Sequence, residues 1–275
     1  MKFTAEKSQI VDSLQNAAAV AERRQTIPIL ANLRLKASLG KLEVTATDLE
    51  IQIKNYSDLL SIEEEGETTV SARKMSELCR SLPDAENVDF LLKDGKLTVS
   101  SKNFHGDFAT ISSDDFPELE VNEEQKSTEI LSGALKRILT KTSFSMASQD
   151  VRYYLNGLLL ELTEGEIKGV ATDGHRLAVS SSKAEGKGLE MRNILPRKAV
   201  LELAKLLPPE DTPIELLVGP TYIGVKTEIL SFCSKLIDGK YPDYEKVFPS
   251  GDPLPLMVGK ETLQSALSRA SVLSN

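Results

Sequence analysis

The sequence has few of the residues that build disulfide scaffolds or structural metal sites. It contains two cysteines, Cys79 and Cys233, and two histidines, His105 and His175. Their spacing matches no zinc-ligand pattern. Each cysteine lies within an apolar pattern, where a free thiol behaves as a small hydrophobic side chain. We therefore expect neither a disulfide scaffold nor a structural zinc ion.

Long apolar runs and glycine-rich phosphate loops are also missing. No segment approaches the roughly 18–20 consecutive apolar residues of a membrane helix, and residues 1–6 lack the apolar core of a secretory signal. We therefore expect a cytoplasmic protein with no membrane partner. Because no glycine-rich loop precedes a predicted helix, the sequence predicts no nucleotide-phosphate site and no cofactor.

The composition is that of a globular protein with a surplus of acid. At roughly 100–200 residues per domain, a chain of 275 residues indicates about two domains. The 40% of hydrophobic residues can fill two sizeable cores. The formal net charge of −8 argues against a nucleic-acid partner unless the basic residues are segregated from the acidic ones.

An internal repeat organises the chain. Residues 30–48 (LANLRL and then GKLEVTATD) return as residues 155–173 (LNGLLL and then GEIKGVATD), so that Asp48 and Asp173 lie 125 residues apart. Other landmarks keep nearly the same spacing: Arg73-Lys74 with Arg197-Lys198, and Phe116-Pro117 with Tyr241-Pro242. Landmarks that recur in one order and at one spacing predict two copies of the same module.

A third copy begins near the end of the sequence. Apolar residues at helical spacing recur at equivalent places in all three copies: Ile10 and Leu14, Leu135 and Leu139, and Leu263 and Leu267. Because a third core cannot close within so few residues, we interpret the chain as cut inside this repeat. The predicted domains are 1–125, 126–253 and the truncated start of a third, 254–275.

Each copy repeats one order of predicted elements. A strand leads into an amphipathic helix, alternating strands with glycine turns follow, and a second helix lies midway before further strands. Strands outnumber helices, and both helices of a copy need a sheet to cover their apolar faces. The sequence therefore predicts an α+β fold of tandem domains, each with two helices packed on antiparallel sheets.

Basic residues concentrate on three predicted helices, over residues 71–82, 131–142 and 196–207. Each helix has an apolar stripe and, off that stripe, basic side chains: Arg73, Lys74 and Arg80; Lys136, Arg137 and Lys141; Arg197, Lys198 and Lys205. Acid collects elsewhere, at residues 63–65, 118–124 and 161–166. One basic helix is most simply a solvated face. Three at equivalent places predict a positive surface for phosphates, whose contacts are independent of sequence and permit sliding.

Longer motifs resemble the bacterial DNA sliding clamp, the beta subunit of DNA polymerase III. They are residues 151–157 (VRYYLNG), 171–177 (ATDGHRL) and 234–244 (SKLIDGKYPDY), with shorter ones at 27–30 (IPIL) and 114–117 (DDFP). The likeness extends over the whole chain. In that family each subunit has three similar clamp domains, and two subunits close head to tail into a ring around duplex DNA. The resemblance implies that helices line the hole and that sheets form the rim.

The resemblance also implies a processivity factor without catalytic activity. The family's ring tethers the replicative polymerase, and its loader supplies the ATP site. The implied partners are double-stranded DNA, the polymerase alpha subunit, the clamp loader delta subunit, and clamp-motif proteins such as repair polymerases, mismatch-repair proteins and ligase. A full-length chain would form a homodimer. Ring closure is not expected for a chain that lacks the rest of its third domain.

Candidate DNA contacts come from two sources. The resemblance places Arg24, Arg73, Gln149, Tyr153 and Tyr154 where the family touches DNA. Helix position alone adds Arg137, Lys141, Arg197, Lys198 and Lys205. Arginine suits phosphate, and exposed tyrosines can stack on unpaired bases. The competing interpretation of the two tyrosines is one buried ring and one half-exposed ring.

The resemblance further implies an apolar cleft for partner peptides between the second and third domains. Its matching positions are Leu155, Thr172, Gly174, His175, Arg176, Leu177, Pro242 and Val247. The third domain should supply the rest of the wall, so we expect peptide binding by this chain to be weak or absent. Val272 and Leu273 match the family's contact with the neighbouring subunit.

Two other functions compete with a clamp. An esterase-like site could use Asp173, His175 and Ser180, but residues two apart on a strand form a pair without an orienting third group. The G-x-S-x-G motif is also absent from the sequence. The second alternative is a protein-binding scaffold that never meets DNA. Salt-dependent affinity for duplex of any sequence would distinguish it from a clamp.

Overall fold

The chain divides into two units, Met1–Tyr241 and Pro242–Asn275, in the computed structural model. The structure describes residues 1–21, 27–83, 86–119, 125–184, 189–208, 210–249, 251 and 254–273. Among these residues, no helix is both long and apolar enough to cross a membrane.

The first copy of the repeat opens with a strand and a long helix. Its elements are β1 (Lys2–Glu6), α1 (Lys7–Val20), β2 (Asn32–Ser38), β3 (Lys41–Thr47), β4 (Ile51–Asp58), β5 (Ser61–Glu64), β6 (Gly66–Ser71), α2 (Ala72–Ser81), β7 (Asn87–Lys93), β8 (Lys96–Ser101) and β9 (Phe104–Ile111). A 3-10 helix, Pro28–Ala31, precedes β2.

The second copy repeats this order, except that no described strand corresponds to β5. Its elements are β10 (Lys126–Leu131), α3 (Ser132–Thr142), β11 (Gly157–Thr163), β12 (Glu166–Thr172), β13 (Leu177–Lys183), β14 (Met191–Pro196), α4 (Arg197–Leu206), β15 (Pro213–Val218), β16 (Tyr222–Lys226) and β17 (Leu230–Lys235). Short 3-10 helices at Ser143–Ser145 and Tyr153–Leu155 precede β11. Apart from β5, the two copies therefore share one succession of strands and helices, as the spacing of their motifs predicts.

All strand pairs in the first unit are antiparallel. One sheet has the order β10-β15-β16-β17-β4-β3-β2-β6-β9-β8-β7-β1-β5, and a second has the order β13-β12-β11-β14. The first sheet joins the two copies, because β17 pairs with β4 from Leu230↔Asn55 to Ser234↔Ile51. The predicted α+β fold with helices on antiparallel sheets is confirmed.

The four described helices of the first unit follow one another in a row. Helix α1 contacts α2 on one side and α4 on the other, and α4 contacts α3. Each also packs on strands, because its apolar stripe is buried in the core: Ile10 and Leu14 on α1, Met75 and Cys79 on α2, Leu135 and Ile138 on α3, and Val200 and Leu203 on α4. The helices with predicted basic faces are therefore linked through α1 into one row.

The helix predicted over residues 131–142 begins one residue later than its predicted start. Leu131 is the last residue of β10, where it pairs with Pro213 and is 43% exposed. The helix begins at Ser132, which is buried and donates its hydroxyl to the carbonyl of Glu210 at 2.6 Å. Strand pairing therefore determines where α3 begins.

A glycine allows α3 to lie close to its sheet. A Cβ added to Gly169 on β12 would overlap Cγ2 of Ile138 on α3. Because core packing leaves little room for displacement, a larger residue would push the helix away from the sheet. The basic face of α3 therefore depends on this glycine for its position.

The described residues of the second unit form two helical segments. A 3-10 helix spans Tyr244–Val247, and the ring of Tyr244 meets that of Phe248 edge-on with centroids 6.5 Å apart. Helix α5 (Lys260–Ser271) contains Leu263 and Leu267, both exposed. The helix predicted at the start of the third copy is therefore present.

Candidate nucleic-acid interface

Helix α2 presents its basic residues at the end of the helix row. Arg73, Lys74 and Arg80 are exposed, and Nε of Arg73 donates to Oε1 of Glu77 at 2.9 Å. Arg73 and Arg80 border an open cavity of about 680 Å³ between α1 and α2 whose other lining residues include Gln15, Ala18, Ala72 and Ser76. The small side chains leave room for a ligand to approach the two guanidinium groups.

The sequence predictions for α4 and for the loop after α3 converge on a second cavity. Gln149, Arg197 and Lys198 line a space of about 490 Å³, together with Ser148, Asn156, Leu201 and Glu202. Arg197 is half-buried, and its Nη1 donates to the carbonyl of Met146 at 3.1 Å. The loop and the helix thus bring an amide and two cations to one place.

Lys198 already has a partner in the other copy of the repeat. Its Nζ binds Oδ2 of Asp48, whose side chain is 5% exposed, and lies 3.4 Å from the carbonyl of Val20. Oδ1 of Asp48 accepts the amides of Glu50 and Ile51 at 2.9 and 2.7 Å. Lys198 therefore ties the two copies together, and its contact with DNA stays a prediction.

The remaining predicted cations are exposed. Lys141 lies in the last turn of α3. Nη2 of Arg137 is 3.4 Å from the hydroxyl of Ser182 on β13, and Nζ of Lys205 on α4 pairs with Glu202 at 2.9 Å. Exposed pairs of this kind are weak enough to exchange for a phosphate. Arg24 lies outside the described residues, so its role stays a prediction.

The loop between α3 and β11 has a defined internal frame. Asp150 N donates to Oδ1 of Asn156, and Nδ2 of Asn156 donates to the carbonyl of Asp150, both at 2.9 Å. Gln149 has φ 59°, a left-handed conformation that is uncommon for a residue with a side chain.

The rings of Tyr153 and Tyr154 meet edge-on, with their centroids 5.7 Å apart. Tyr153 is exposed and Tyr154 half-buried, so neither ring is buried as the competing interpretation required.

The turn between β12 and β13 carries most of the residues predicted for the peptide cleft. Thr172 Oγ1 donates to the carbonyl of Arg176 at 2.7 Å and accepts the amide of Gly174 at 3.1 Å. The amide of Thr172 donates to the hydroxyl of the buried Tyr241 at 3.0 Å. Gly174 has φ +88°, which favours glycine. Leu155 is buried and Leu177 is half-buried.

An aromatic residue that the sequence analysis missed lies beside this turn. The guanidinium of Arg176 lies 5.7 Å from the ring centre of Phe144, which is 58% exposed. A cation over an exposed ring marks a surface that offers both apolar area and charge. Pro242 and Val247 belong to the second unit, so their place in a cleft stays a prediction. Val272 and Leu273, also in that unit, are exposed.

The geometry around Asp173 does not form an acid–base pair. His175 binds Asp173 through its backbone amide at 2.9 Å, and Oδ2 of Asp173 accepts Nε of Arg176 at 2.9 Å. These bonds, the amide of His175 foremost, lower the pKa of the Asp173 carboxyl. The Asp173 carboxylate therefore accepts the hydrogen bonds that stabilise the turn.

A network of charges on the outer face of the first copy was also missed. Arg34 binds Glu43 and Glu118, and Lys54 binds Glu118 at 2.8 Å. The guanidinium of Arg34 lies 5.6 Å from the ring centre of Phe116. Arg34 alternates along β2 with Leu33 and Leu35, which face the core, so it lies on the face of the strand opposite that core. Glu118 therefore pairs with basic side chains of the sheet, on the face opposite the core.

The ion pair within the loop gives a pH prediction. The pKa of Asp150 is lowered to about 2, first by the side-chain hydrogen bond from Arg152 and then by its backbone amide. A lowered folded pKa stabilises the fold above the ordinary value near 3.8, and this contribution is lost as the pH falls through about 2. We expect the carboxyl carbon shift of Asp150 to stay constant from pH 6 to 3. In Arg152→Gln it should titrate at a higher pH, between about 2 and 3.8, because only the bond from the backbone amide remains. Titration near 3.8 in the unaltered chain would contradict the bond.

Comparison with known proteins covers the whole chain. Residues 1–120 match the family model described as DNA polymerase III beta subunit, N-terminal domain, and residues 129–243 match its central domain. The beta sliding clamp of Pseudomonas aeruginosa is 40% identical over 276 residues, which is 100% of this chain and 75% of the relative. That of Escherichia coli K12 is 38% identical with the same coverage.

Solved structures agree with the sequence comparison. A sliding clamp from Pseudomonas aeruginosa bound to griselimycin has a TM-score of 0.92 at 40% identity and covers 100% of this chain and 75% of its own. The clamp from Bacillus subtilis has a TM-score of 0.92 at 27% identity, over 100% of this chain and 74% of its own. The fold is therefore conserved among relatives whose sequences differ widely.

Proposed function

The chain belongs to the DNA polymerase III beta subunits, the bacterial DNA sliding clamps, and from this membership we propose that its row of helices is the surface that meets duplex DNA. The row α2-α1-α4-α3 is the single observation that carries this assignment. Exposed cations on α2, α3 and α4 all occur along it: Arg73, Lys74, Arg80, Arg137, Lys141 and Lys205.

Contacts of this kind suit a protein that moves along DNA. Lysine and arginine on helices reach phosphate oxygens, which occur at the same spacing in every sequence. Such contacts hold the duplex without fixing it at one site. The whole chain has a net charge of −8, so the surplus acid away from the helices keeps the attraction local to their basic faces.

The loop at the end of this row supplies a different contact. Gln149 borders the cavity that Arg197 also lines, and Tyr153 in the same loop offers an exposed ring. Phosphate would bind at the cations, while an unpaired base could stack on Tyr153. We place the passage from duplex to single strand at this loop.

The turn at Thr172–Leu177 is the proposed docking site for partner peptides. Leu177 and Phe144 supply apolar area, and Arg176 supplies a charge over the aromatic ring, while Leu155 is buried. A peptide with apolar anchors and an acidic or amide group fits that chemistry. Its sources would be the polymerase alpha subunit, the loader delta subunit and the repair factors that use the same motif. We also propose that the protein acts in the cytoplasm.

The repeat itself indicates where a third domain would attach. Strand β13 occupies the place in the second copy that β4 occupies in the first. Strand β4 pairs with β17, the last strand of the following copy. We therefore place the last strand of a third copy on the outer edge of β13. Val272 and Leu273 would then meet a second subunit, which gives the homodimeric ring of the family.

Retention on DNA of two topologies tests this function. A ring formed by the chain together with a complete third copy should remain on closed circular duplex at high salt and slide off after the circle is cut. Gel filtration of the loaded DNA before and after cutting measures both states. Equal retention on circular and linear DNA would favour a binding protein that does not encircle its ligand.

A further inference from the structure

The guanidinium of Arg152 lies between the proposed DNA loop and the proposed cleft turn. Its Nε and Nη2 donate to Oδ1 and Oδ2 of Asp150 at 3.0 and 2.9 Å. The same Nη2 donates to the carbonyl of Asp173 at 3.2 Å. Arg152 therefore joins two segments that are 21 residues apart in the sequence.

The loop side of this bridge is held firmly. Asp150 receives the amide of Arg152 at 2.8 Å in addition to the guanidinium, and it is fixed to Asn156 by two backbone–side-chain bonds. A carboxylate held in this way presents both oxygens to the fork of the arginine. Movement of the loop must therefore carry the guanidinium with it.

On the turn side of the bridge there is little free space between Gly174 and the guanidinium. A Cβ added to Gly174 would lie 3.2 Å from both Nη1 and Nη2 of Arg152, which is closer than ordinary van der Waals contact. Glycine suits this position for two reasons: it tolerates the left-handed φ of +88°, and it leaves room for the guanidinium to approach closely. The carbonyl of Asp173 and the backbone of Gly174 are therefore both in close contact with Arg152.

The equivalent turn of the first copy is also held by a cation from elsewhere. Leu49, with φ 74°, takes the place of Gly174, and Asp48 takes that of Asp173. Lys198 from the second copy binds the carboxylate of Asp48. In both copies a basic side chain from another segment therefore fixes this turn, although the cations and the atoms they bind differ.

We propose that Arg152 is a positioning residue that couples the loop at Gln149 and Tyr153 to the turn at Gly174, His175 and Arg176. A DNA strand that moves the loop would move the turn, so occupancy of one site changes the affinity of the other. Such coupling is reciprocal. The inference rests on the proposed function for its two ligands, but the bridge itself can be tested without either ligand.

Arginine is required for the bridge because of its shape. The planar fork binds both oxygens of Asp150 while one nitrogen also reaches the carbonyl of Asp173. Lysine has one nitrogen, which cannot reproduce that geometry although it keeps the charge. Arg152→Lys therefore separates the effect of position from the effect of charge.

Hydrogen exchange in the free chain tests the bridge. The amides of His175 and Arg176 donate to Asp173 at 2.9 and 3.0 Å. In Arg152→Lys and Arg152→Gln they should exchange about tenfold faster, the factor that accompanies loss of a hydrogen bond to a charged group. Arg192→Gln, an exposed arginine on β14 that pairs with Glu161, is the matched control and should leave both rates unchanged. Unchanged rates in both Arg152 variants would overturn the proposal.

The coupling itself is measured with a short duplex that carries a single-stranded overhang. In the unaltered chain, nuclear magnetic resonance should show shifts at Gln149, Tyr153, Gly174 and His175 on binding. In Arg152→Lys the loop shifts should remain and the turn shifts should vanish. Turn shifts that persist in Arg152→Lys, or that are missing in the unaltered chain while its loop responds, would overturn the coupling. If the loop itself does not respond, the proposed DNA contact fails and the coupling fails with it, while the exchange rates still decide whether the bridge exists.

Discussion

Replacing Arg73 and Lys141 together by glutamate is expected to lower the affinity of the chain for duplex DNA by about a hundredfold at low salt. Each change removes a charge-assisted bond to phosphate, worth about tenfold per position, and adds a repulsion. The slope of log affinity against log salt should also fall by about 2, roughly 0.9 per lost phosphate contact. Fluorescence anisotropy of a labelled duplex, titrated at several salt concentrations, measures both quantities.

The matched control makes the same charge change on the sheets. Lys36 on β2 and Lys226 on β16 are exposed, and each alternates with neighbours that face the core. Their replacement by glutamate should leave affinity and salt slope nearly unchanged, apart from a weak effect of net charge. If this pair lowers affinity as much as the helix pair, the DNA does not meet the helix row.

The second large effect concerns stability. Lys198→Met is expected to reduce the free energy of unfolding by about 2 kcal/mol, because the nearly buried carboxylate of Asp48 loses its cation. Lys198 itself is 40% exposed, so the loss should be smaller than for a fully buried pair. Urea unfolding followed by circular dichroism measures the change.

Two comparisons identify the cause of that loss. Lys205→Met on the same helix removes a pair with Glu202 whose cation is 67% exposed, and it should change stability by less than about 1 kcal/mol. Asp48→Asn combined with Lys198→Met should destabilise the fold by less than the sum of the two single changes, as expected for groups in contact. Additive effects would show that Lys198 and Asp48 do not interact.

Lys198 has a structural role at the junction of the two copies, which differs from the DNA contact predicted for it. Its position on a basic helix face indicated a phosphate contact, and it does line a cavity with Gln149 and Arg197. Its nitrogen nevertheless binds Asp48, 150 residues earlier in the sequence. A helical pattern shows which side of the helix is polar, but it cannot show which distant carboxylate reaches that side.

Much of the fold could be predicted because the repeat constrains it. A spacing of 125 residues between Asp48 and Asp173 indicated one module used twice, and the structure shows equivalent strands and helices. The buried stripes of α2 and α4 followed from apolar residues at helical spacing. Leu131 departed from that pattern because its pairing with Pro213 extends β10 by one residue. The spacing of apolar residues within one segment carries no information about its pairing with a distant strand.

The site was predicted less completely than the fold. The motif that contains Tyr153 and the motif that contains Gly174 were both recognised, but the bridge between them was not. Nothing in the sequence indicates that the guanidinium of Arg152 packs on Gly174, since that contact depends on how two loops fold against each other. Phe144 was missed for the same reason, because an aromatic residue after a helix is ordinary until Arg176 lies over it.

Protection of lysines by bound duplex tests the central claim most directly. An amine-reactive reagent, applied at low salt with and without DNA and followed by mass spectrometry, reports the exposure of each lysine. We predict that Lys74, Lys141 and Lys205 on the helix row lose most of their reactivity, while Lys36 and Lys226 on the sheets keep theirs. Protection of the sheet lysines with the helix lysines left reactive would contradict the account.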